Sequence, residues 1–194
     1  MSDRDEVFRR IARRIRLLVL DADGVLTDGG IYVADGVGGE PFQLRRFHVR
    51  DGVAVHLLRA AGIESAVVSG RSSAAVRERA RELGIEEVHQ VPPWDKVAVV
   101  RGMAEERDLR WNEVACLADD LPDLALLEQV GLPAAVADAA PEVREVALWC
   151  SERRGGDGVV REFAEALLRA RGQWEERVAA YVARARSGGE GEGP

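Results

Sequence analysis

The stretch "LLVLDADGVLTDG", residues 17–29, decides how the rest of the chain is read. Four apolar residues run without interruption into Asp21, and Asp23 follows two positions later. An unbroken apolar run closed by Gly24 and a Thr-Asp-Gly turn marks a strand covered on both faces, as in a parallel sheet. Ending such a strand in two carboxylates is costly unless something cationic meets them.

Two further runs repeat the pattern. "ESAVVSG" (64–70) stops at Ser69 and Gly70, and "EVACLADD" (113–120) stops at two aspartates. Shorter strands are read near 87–89, at "LPAAVA" and at "ALWC". Helical patterns separate them: about 53–61 with Gly62 as its stop, then a helix capped by Ser72 or Ser73 with Val76, Ala80 and Leu83 facing inward. Others run from about 95 to 107, over "LPDLALLEQVG" and over "APEVREV". "IYV" (31–33) and "FQLRRFHV" (42–49) flank the Gly-rich turn "ADGVGG", which predicts a β-hairpin over about 29–49. The class is therefore α/β: a doubly wound, mostly parallel Rossmann-like sheet with helices on both faces and a projecting β-hairpin. Residues 1–14 read as a charged helical lead-in, 15–171 as the main domain and 172–186 as a C-terminal helix after Gly172. "SGGEGEGP" (187–194) reads as a disordered tail.

A net charge of −7 argues against general nucleic-acid binding, which wants a basic face. Arg greatly outnumbers Lys, with runs at Arg9-Arg10, Arg13-Arg14, Arg45-Arg46 and Arg153-Arg154, most of them read as solvated surface. Cys116 and Cys150 lie far apart in apolar contexts and read as buried free thiols of a reducing compartment. His48, His56 and His89 have no zinc-ligand spacing. The opening "MSDRDEVFRRIARR" lacks the apolar centre of a signal peptide, and no apolar run is long enough to span a bilayer. The expectation is a cytoplasmic protein with neither nucleic-acid nor membrane partners.

In doubly wound sheets ligands sit beyond the carboxyl ends of the strands, so those positions are read together. They hold Asp21 and Asp23, then Ser69 with Gly70 and Arg71, then Lys96 at a helix start, then Asp119 and Asp120 with Asp123 following. Each alone has a bland reading as a cap or a solvated residue; several carboxylates and one Lys on one sheet edge do not. Phosphoryl transfer needs this set. A carboxylate nucleophile can take the phosphoryl group as an aspartyl-phosphate. Carboxylate and phosphate repel, and Mg²⁺ between them answers the repulsion. Ser69 can donate to the transferring group, Lys96 supplies positive charge, and Asp23 is available as general acid and then base.

"DADGVLTDG", "SGR", Lys96 and "ADDLPD", in this order, resemble the four motifs of the haloacid dehalogenase-like phosphatase superfamily. The match is closer to its small capless members acting on 3-deoxy-D-manno-octulosonate 8-phosphate, with "DGVLTDGGIYV", "FHVRDG", "LPAAVADAAPEV" and "RRGGDGVVREFAEALL" in support over roughly residues 15 to 185. The resemblance implies Asp21 as nucleophile and Asp23 as acid/base. It implies Mg²⁺ held by the Asp21 carboxylate, the Asp23 carbonyl and Asp119, with Asp120 or Asp123 assisting, and phosphate bound by Ser69 and Lys96. It further implies a homotetramer built on the hairpins, a sugar-acid phosphate substrate and a place in lipopolysaccharide synthesis. Spacing independently leaves no room for a cap, since Asp21 to Ser69 is 48 positions and Ser69 to Lys96 is 27. Arg71 is the candidate anchor for the substrate's carboxylate, because relatives acting on a nine-carbon keto-acid phosphate tend to carry Glu there. Arg50, Arg79 and Arg161 are weaker candidates for the same duty.

Four departures from the family pattern stand out. Ala118 replaces the usual Gly before Asp119, "QVPPWDK" has one extra residue before Lys96, the hairpin turn is about four residues longer, and Asp157 stands where Arg is common. The rival readings are a phosphatase for another sugar phosphate or a nine-carbon substrate, a non-catalytic oligomeric module, and a signalling receiver domain. The last wants its phospho-acceptor on a middle strand, where this chain offers Ser69.

Overall fold

The computed structural model describes residues 3–187. In chain order the first elements are α1 (Asp3–Ala12), β1 (Leu17–Leu20), β2 (Tyr32–Asp35), β3 (Pro41–Leu44), α2 (Arg50–Ala60) and β4 (Glu64–Ser69). Then come α3 (Ala74–Glu82), β5 (Glu87–Gln90), α4 (Lys96–Glu106), β6 (Val114–Ala118), α5 (Leu124–Leu127) and β7 (Leu132–Ala135). α6 (Pro141–Val146), β8 (Trp149–Cys150), α7 (Val159–Ala170) and α8 (Trp174–Arg186) complete the set.

β1 pairs in parallel with β4 on one side and β6 on the other, and all four of its residues are buried. That is why its sequence is Leu-Leu-Val-Leu: with both faces covered, each side chain is worth roughly 1.5–3 kcal/mol of burial. The six-stranded sheet runs β5-β4-β1-β6-β7-β8 and every pairing in it is parallel. The chain winds outward from β1 through β4 to β5, then returns to β1's other side and winds out to β8. The strand order thus reverses at β1, which opens a crevice at its carboxyl end. On one face α2 packs against α7 and β4; on the other α4 and α5 pack against β4, β6 and β7. The inward stripe of α7 is Val159, Val160, Phe163, Ala164, Leu167 and Leu168, all buried and at helical spacing.

The hairpin stands apart as its own two-stranded sheet, with Tyr32 opposite Leu44. The strand expected over 42–49 is shorter than its pattern. β3 ends at Leu44, Arg45 turns inward, and Phe47 makes an isolated bridge to Thr27. α2 starts three residues before the expected 53, because Gly52 is accommodated inside the helix with Asp51 in its first turn. The expected helix after Asp120 is a 3₁₀ turn (Leu121–Asp123) followed by the short α5. Ser73 is the residue that caps α3, its Oγ accepting from the Val76 N–H at 3.3 Å. Cys116 is buried as expected, whereas Cys150 on the two-residue edge strand is only half-buried; both are free thiols. Of the tail read at 187–194, all but Ser187 lies outside the described residues. Among the described residues no helix is long and apolar enough to cross a membrane.

Candidate active site

The carboxyl end of β1 is organised by a short loop with little freedom. The Asp21 N–H still bonds to the Leu117 carbonyl of β6 at 3.1 Å, so the first aspartate is held by the sheet itself. The chain then makes one wide turn, closed by the Thr27 N–H on the Ala22 carbonyl at 3.0 Å. Buried Thr27 accepts on Oγ1 from the N–H groups of Gly24 (3.3 Å) and Gly29 (3.2 Å), which explains the Thr of the Thr-Asp-Gly turn. Gly24 has φ +91°, and a Cβ there would lie 2.0 Å from Asp119 Oδ2. Glycine is therefore what lets Asp119 reach β1. A Cβ on Gly155 would meet the Gly24 carbonyl oxygen at 1.8 Å, so the "RRGGDG" segment braces this loop backbone to backbone.

Lys96 opens α4 and is almost wholly buried. Its Nζ donates to Asp21 Oδ1 at 2.8 Å and to Asp123 Oδ1 and Oδ2 at 2.8 and 3.0 Å. It is the single lysine among 194 residues, every other basic side chain being arginine. A compact ammonium donates to three oxygens of two carboxylates from a single point, where a guanidinium spreads its charge and donors over a plane. Asp21, Asp119 and Asp123 each offer an oxygen within 4.8 Å of the others.

These acids crowd one another. Burial, then the Asp123 charge, pushes Asp21 up to about 8 against the opposing pull of Lys96. Burial with Asp123 and Asp120 pushes Asp119 up to about 7. Burial raises Asp123 too, with Lys96 opposing. Burial works against the Lys96 charge, but Asp21 and Asp123 outweigh it and hold the ammonium above the ordinary lysine range. With all three deprotonated, three carboxylates against one ammonium leave two negative charges unmet. Hard oxygen donors, close convergence and that deficit fit a divalent cation such as Mg²⁺.

The second aspartate lives differently. Asp23 Oδ1 is 3.1 Å from Arg45 Nε, and Oδ2 is 3.7 Å from Arg71 Nε. Ser69, buried at the end of β4, accepts from the Arg71 N–H at 3.4 Å. Gly70 beside it is exposed.

The sequence profile of the haloacid dehalogenase-like hydrolases matches residues 90–163. Over 165 residues, 85% of each chain, the protein is 39% identical to the 3-deoxy-D-manno-octulosonate 8-phosphate phosphatase KdsC of Escherichia coli K12. The chain belongs to that phosphatase family. A crystal structure of the Moraxella catarrhalis phosphatase of that name, in complex with magnesium ion, phosphate ion and a KDO molecule, superposes with a TM-score of 0.84 at 32% identity, covering 91% of this chain and 98% of that one. A subfamily III A hydrolase of the haloacid dehalogenase superfamily from Legionella pneumophila gives 0.85 at 37% identity, covering 93% and 96%. The fold is thus that of this capless subfamily.

Within the family frame, the structure brings together Asp21, Lys96, Asp119 and Asp123, with Asp23, Ser69 and Arg71 at the same edge. It does not bring in every expected residue. Asp120 is exposed and outside the three-carboxylate group, and Asp123 stands there instead. Asp120 is extended, and the 3₁₀ turn at Leu121–Asp123 that follows it carries Asp123 back to the cluster. Arg79 is committed away from the cluster, donating to Glu82 Oε2 at 2.9 Å and to the His48 carbonyl at 3.2 Å. Arg161 lies over the Trp174 ring at 4.9 Å. Arg50 is exposed at the start of α2, and the neighbouring Asp51 turns inward to accept from the Arg161 N–H at 3.0 Å.

Arg45 was missed as a site residue, since only its place just after a hairpin strand and two before Phe47 distinguishes it from the other arginines. The departures from the family pattern are absorbed locally. Ala118 lies in β6 without positive φ, and the approach to Lys96 is a 3₁₀ turn at Pro93–Asp95. Asp157, opposite in sign to the family's Arg, pairs with Arg46 at 2.9 Å.

Proposed function

We infer that this chain is a Mg²⁺-dependent phosphatase that hydrolyses 3-deoxy-D-manno-octulosonate 8-phosphate to the sugar acid and phosphate. The observation that carries the reading is the convergent group of Asp21, Asp119 and Asp123, two of them bonded to buried Lys96, in a chain 39% identical to a relative of that activity. Asp21 and Asp119, the Asp23 backbone carbonyl and nearby Asp123 would hold the metal, which supplies the charge that lets a phosphate dianion approach carboxylates. Lys96 orients Asp21 through Oδ1. An Asp21 oxygen attacks phosphorus, the ester P–O bond breaks, and Asp23 gives the leaving sugar oxygen its proton. Asp23 then takes a proton from water, whose oxygen displaces Asp21 from the aspartyl-phosphate and releases phosphate. Ser69 supports the transferring group with its hydroxyl, and Gly70 offers its backbone. Arg71, half exposed and beside Asp23, is placed to meet the substrate carboxylate.

Further readings rest on the same family. The exposed apolar residues Ile31, Tyr32, Val33, Val37, Phe42 and Leu44 on the hairpin support a homotetramer in which hairpins pack together. The free thiols Cys116 and Cys150 support a cytoplasmic location, and the break between α7 and α8 supports a separate C-terminal helix after a main domain at 15–171. A phosphate-release assay with Mg²⁺ over eight- and nine-carbon keto-acid phosphates and neutral sugar phosphates tests the substrate. The eight-carbon ester is turned over best; even activity across the panel overturns the narrow assignment. Arg71→Ala raises KM for acid-bearing esters by about tenfold or more and leaves neutral sugar phosphates nearly unchanged.

A further inference from the structure

We propose that Arg45 is a positioning residue for this reaction, a fixed cation that holds the Asp23 carboxylate in one place through both the acid and the base step; the proposal rests on the phosphatase reading above. Its side chain is only 2% exposed, and its Nε and Nη1 are sealed from solvent with no well-aligned hydrogen-bond acceptor among the described residues, the Asp23 carboxylate meeting Nε as an ion pair rather than along the N–H. Burying a guanidinium and leaving donors unmet is destabilising, and an apolar side chain of similar volume would pack there at less cost. The acid paired with it is Asp23, at 3.1 Å from Nε.

The two cations on Asp23 are unlike. Arg71 is 47% exposed and reaches Oδ2 at 3.7 Å, a loose contact that a substrate carboxylate can draw away. Arg45 has no such freedom. Its backbone is pinned on one side by the end of β3 at Leu44 and on the other by the Phe47 bridge to Thr27. Thr27 is also the residue whose Oγ1 fixes the Gly24 N–H beside Asp23. One brace therefore grips both the loop and the side chain it carries. Asp23 sits on a loop, where a side chain needs such support to keep its aim.

The test compares Arg45→Met and Arg45→Lys with the unmodified Mg²⁺-loaded enzyme. Arg45→Met lowers kcat for the sugar-acid phosphate about 30- to 100-fold, within the range ascribed to a general acid–base group, and leaves KM within about twofold. With p-nitrophenyl phosphate, whose leaving group needs no proton, nitrophenolate appears in a burst followed by slow turnover, because the step left without a well-placed base is the attack of water. Arg45→Lys, which keeps the charge, recovers about tenfold of the loss. A rise in KM at constant kcat, burst and steady state slowed alike, or no recovery by Lys in a folded protein overturns the proposal. Crystals of Arg45→Met give a reading independent of turnover: Asp23 leaves its present rotamer, and an unmoved Asp23 also overturns it. Failure of the phosphatase reading looks different, since Asp21→Asn would then keep its activity or the unmodified chain would release no phosphate from any ester.

Discussion

The carboxyl edge of the sheet and the β2–β3 hairpin treat their surroundings in opposite ways. At the sheet edge the chain buries charge: Asp21, Lys96 and Asp123 are sealed together and hydrogen-bonded to one another. On the hairpin it exposes apolar side chains such as Val33, Phe42 and Leu44 and leaves them without a covering element. An isolated two-stranded hairpin is marginal in water, so its stability must come from elsewhere. The edge holds chemistry and the hairpin holds surface, and Arg45, at the hairpin's root, belongs to both.

The largest effect that separates the regions is expected from Asp21→Asn. Turnover falls to background while the thermal midpoint of the metal-free protein stays level or rises, since one of three crowded carboxylates loses its charge. Calorimetry beside a phosphate-release assay checks this, and retained turnover would move the nucleophile elsewhere. Lys96→Ala should instead cost stability, about 3–5 kcal/mol, because it leaves two buried carboxylates facing each other without their shared cation. Chemical denaturation measures the loss; a change below about 1 kcal/mol would mean that water enters the cluster freely.

On the hairpin, Val33→Asp with Phe42→Asp should leave the unfolding transition of the sheet domain in place but break the proposed hairpin-packed assembly, read as a smaller species than the unmodified protein in sedimentation velocity. Unchanged sedimentation would show that the exposed face is not an interface.

The smallest effect concerns pH. Asp21, Asp119 and Asp51 have folded-state values raised to about 8, 7 and 6, so between roughly pH 4 and 8 the folded chain holds more protons than the unfolded one. Stability of the metal-free protein therefore falls as pH rises through that window. Lys96, raised in the folded state, is fully protonated throughout it and adds no slope. Mg²⁺ binds the deprotonated carboxylates, so its stabilising effect on the thermal midpoint should be larger at pH 8.5 than at pH 5. A metal effect that shrinks with rising pH would deny the cluster its ligand role.

The same contrast explains what the sequence revealed. Asp21, Ser69, Lys96 and Asp119 were legible because each follows a buried strand or opens a helix, and a parallel sheet puts those positions on one edge. Asp123 over Asp120 was not legible from spacing, since Asp120 is extended and the orientation follows from the 3₁₀ turn at Leu121–Asp123. Arg79 and Arg161 looked like free anchors, yet their partners are a carbonyl 31 residues away and a Trp on α8, contacts that only packing creates. Arg45 left no periodic trace, since its burial depends on where the hairpin strand stops and the backbone turns inward.

Having its single lysine inside the reaction centre makes the chain its own tracer. On the intact fold, acylating reagents find the α-amine at the start of the polypeptide and little else that is primary. A second mass increment, appearing with time, then counts how often the crevice opens far enough to admit a small electrophile, with no label to install and no second lysine to subtract.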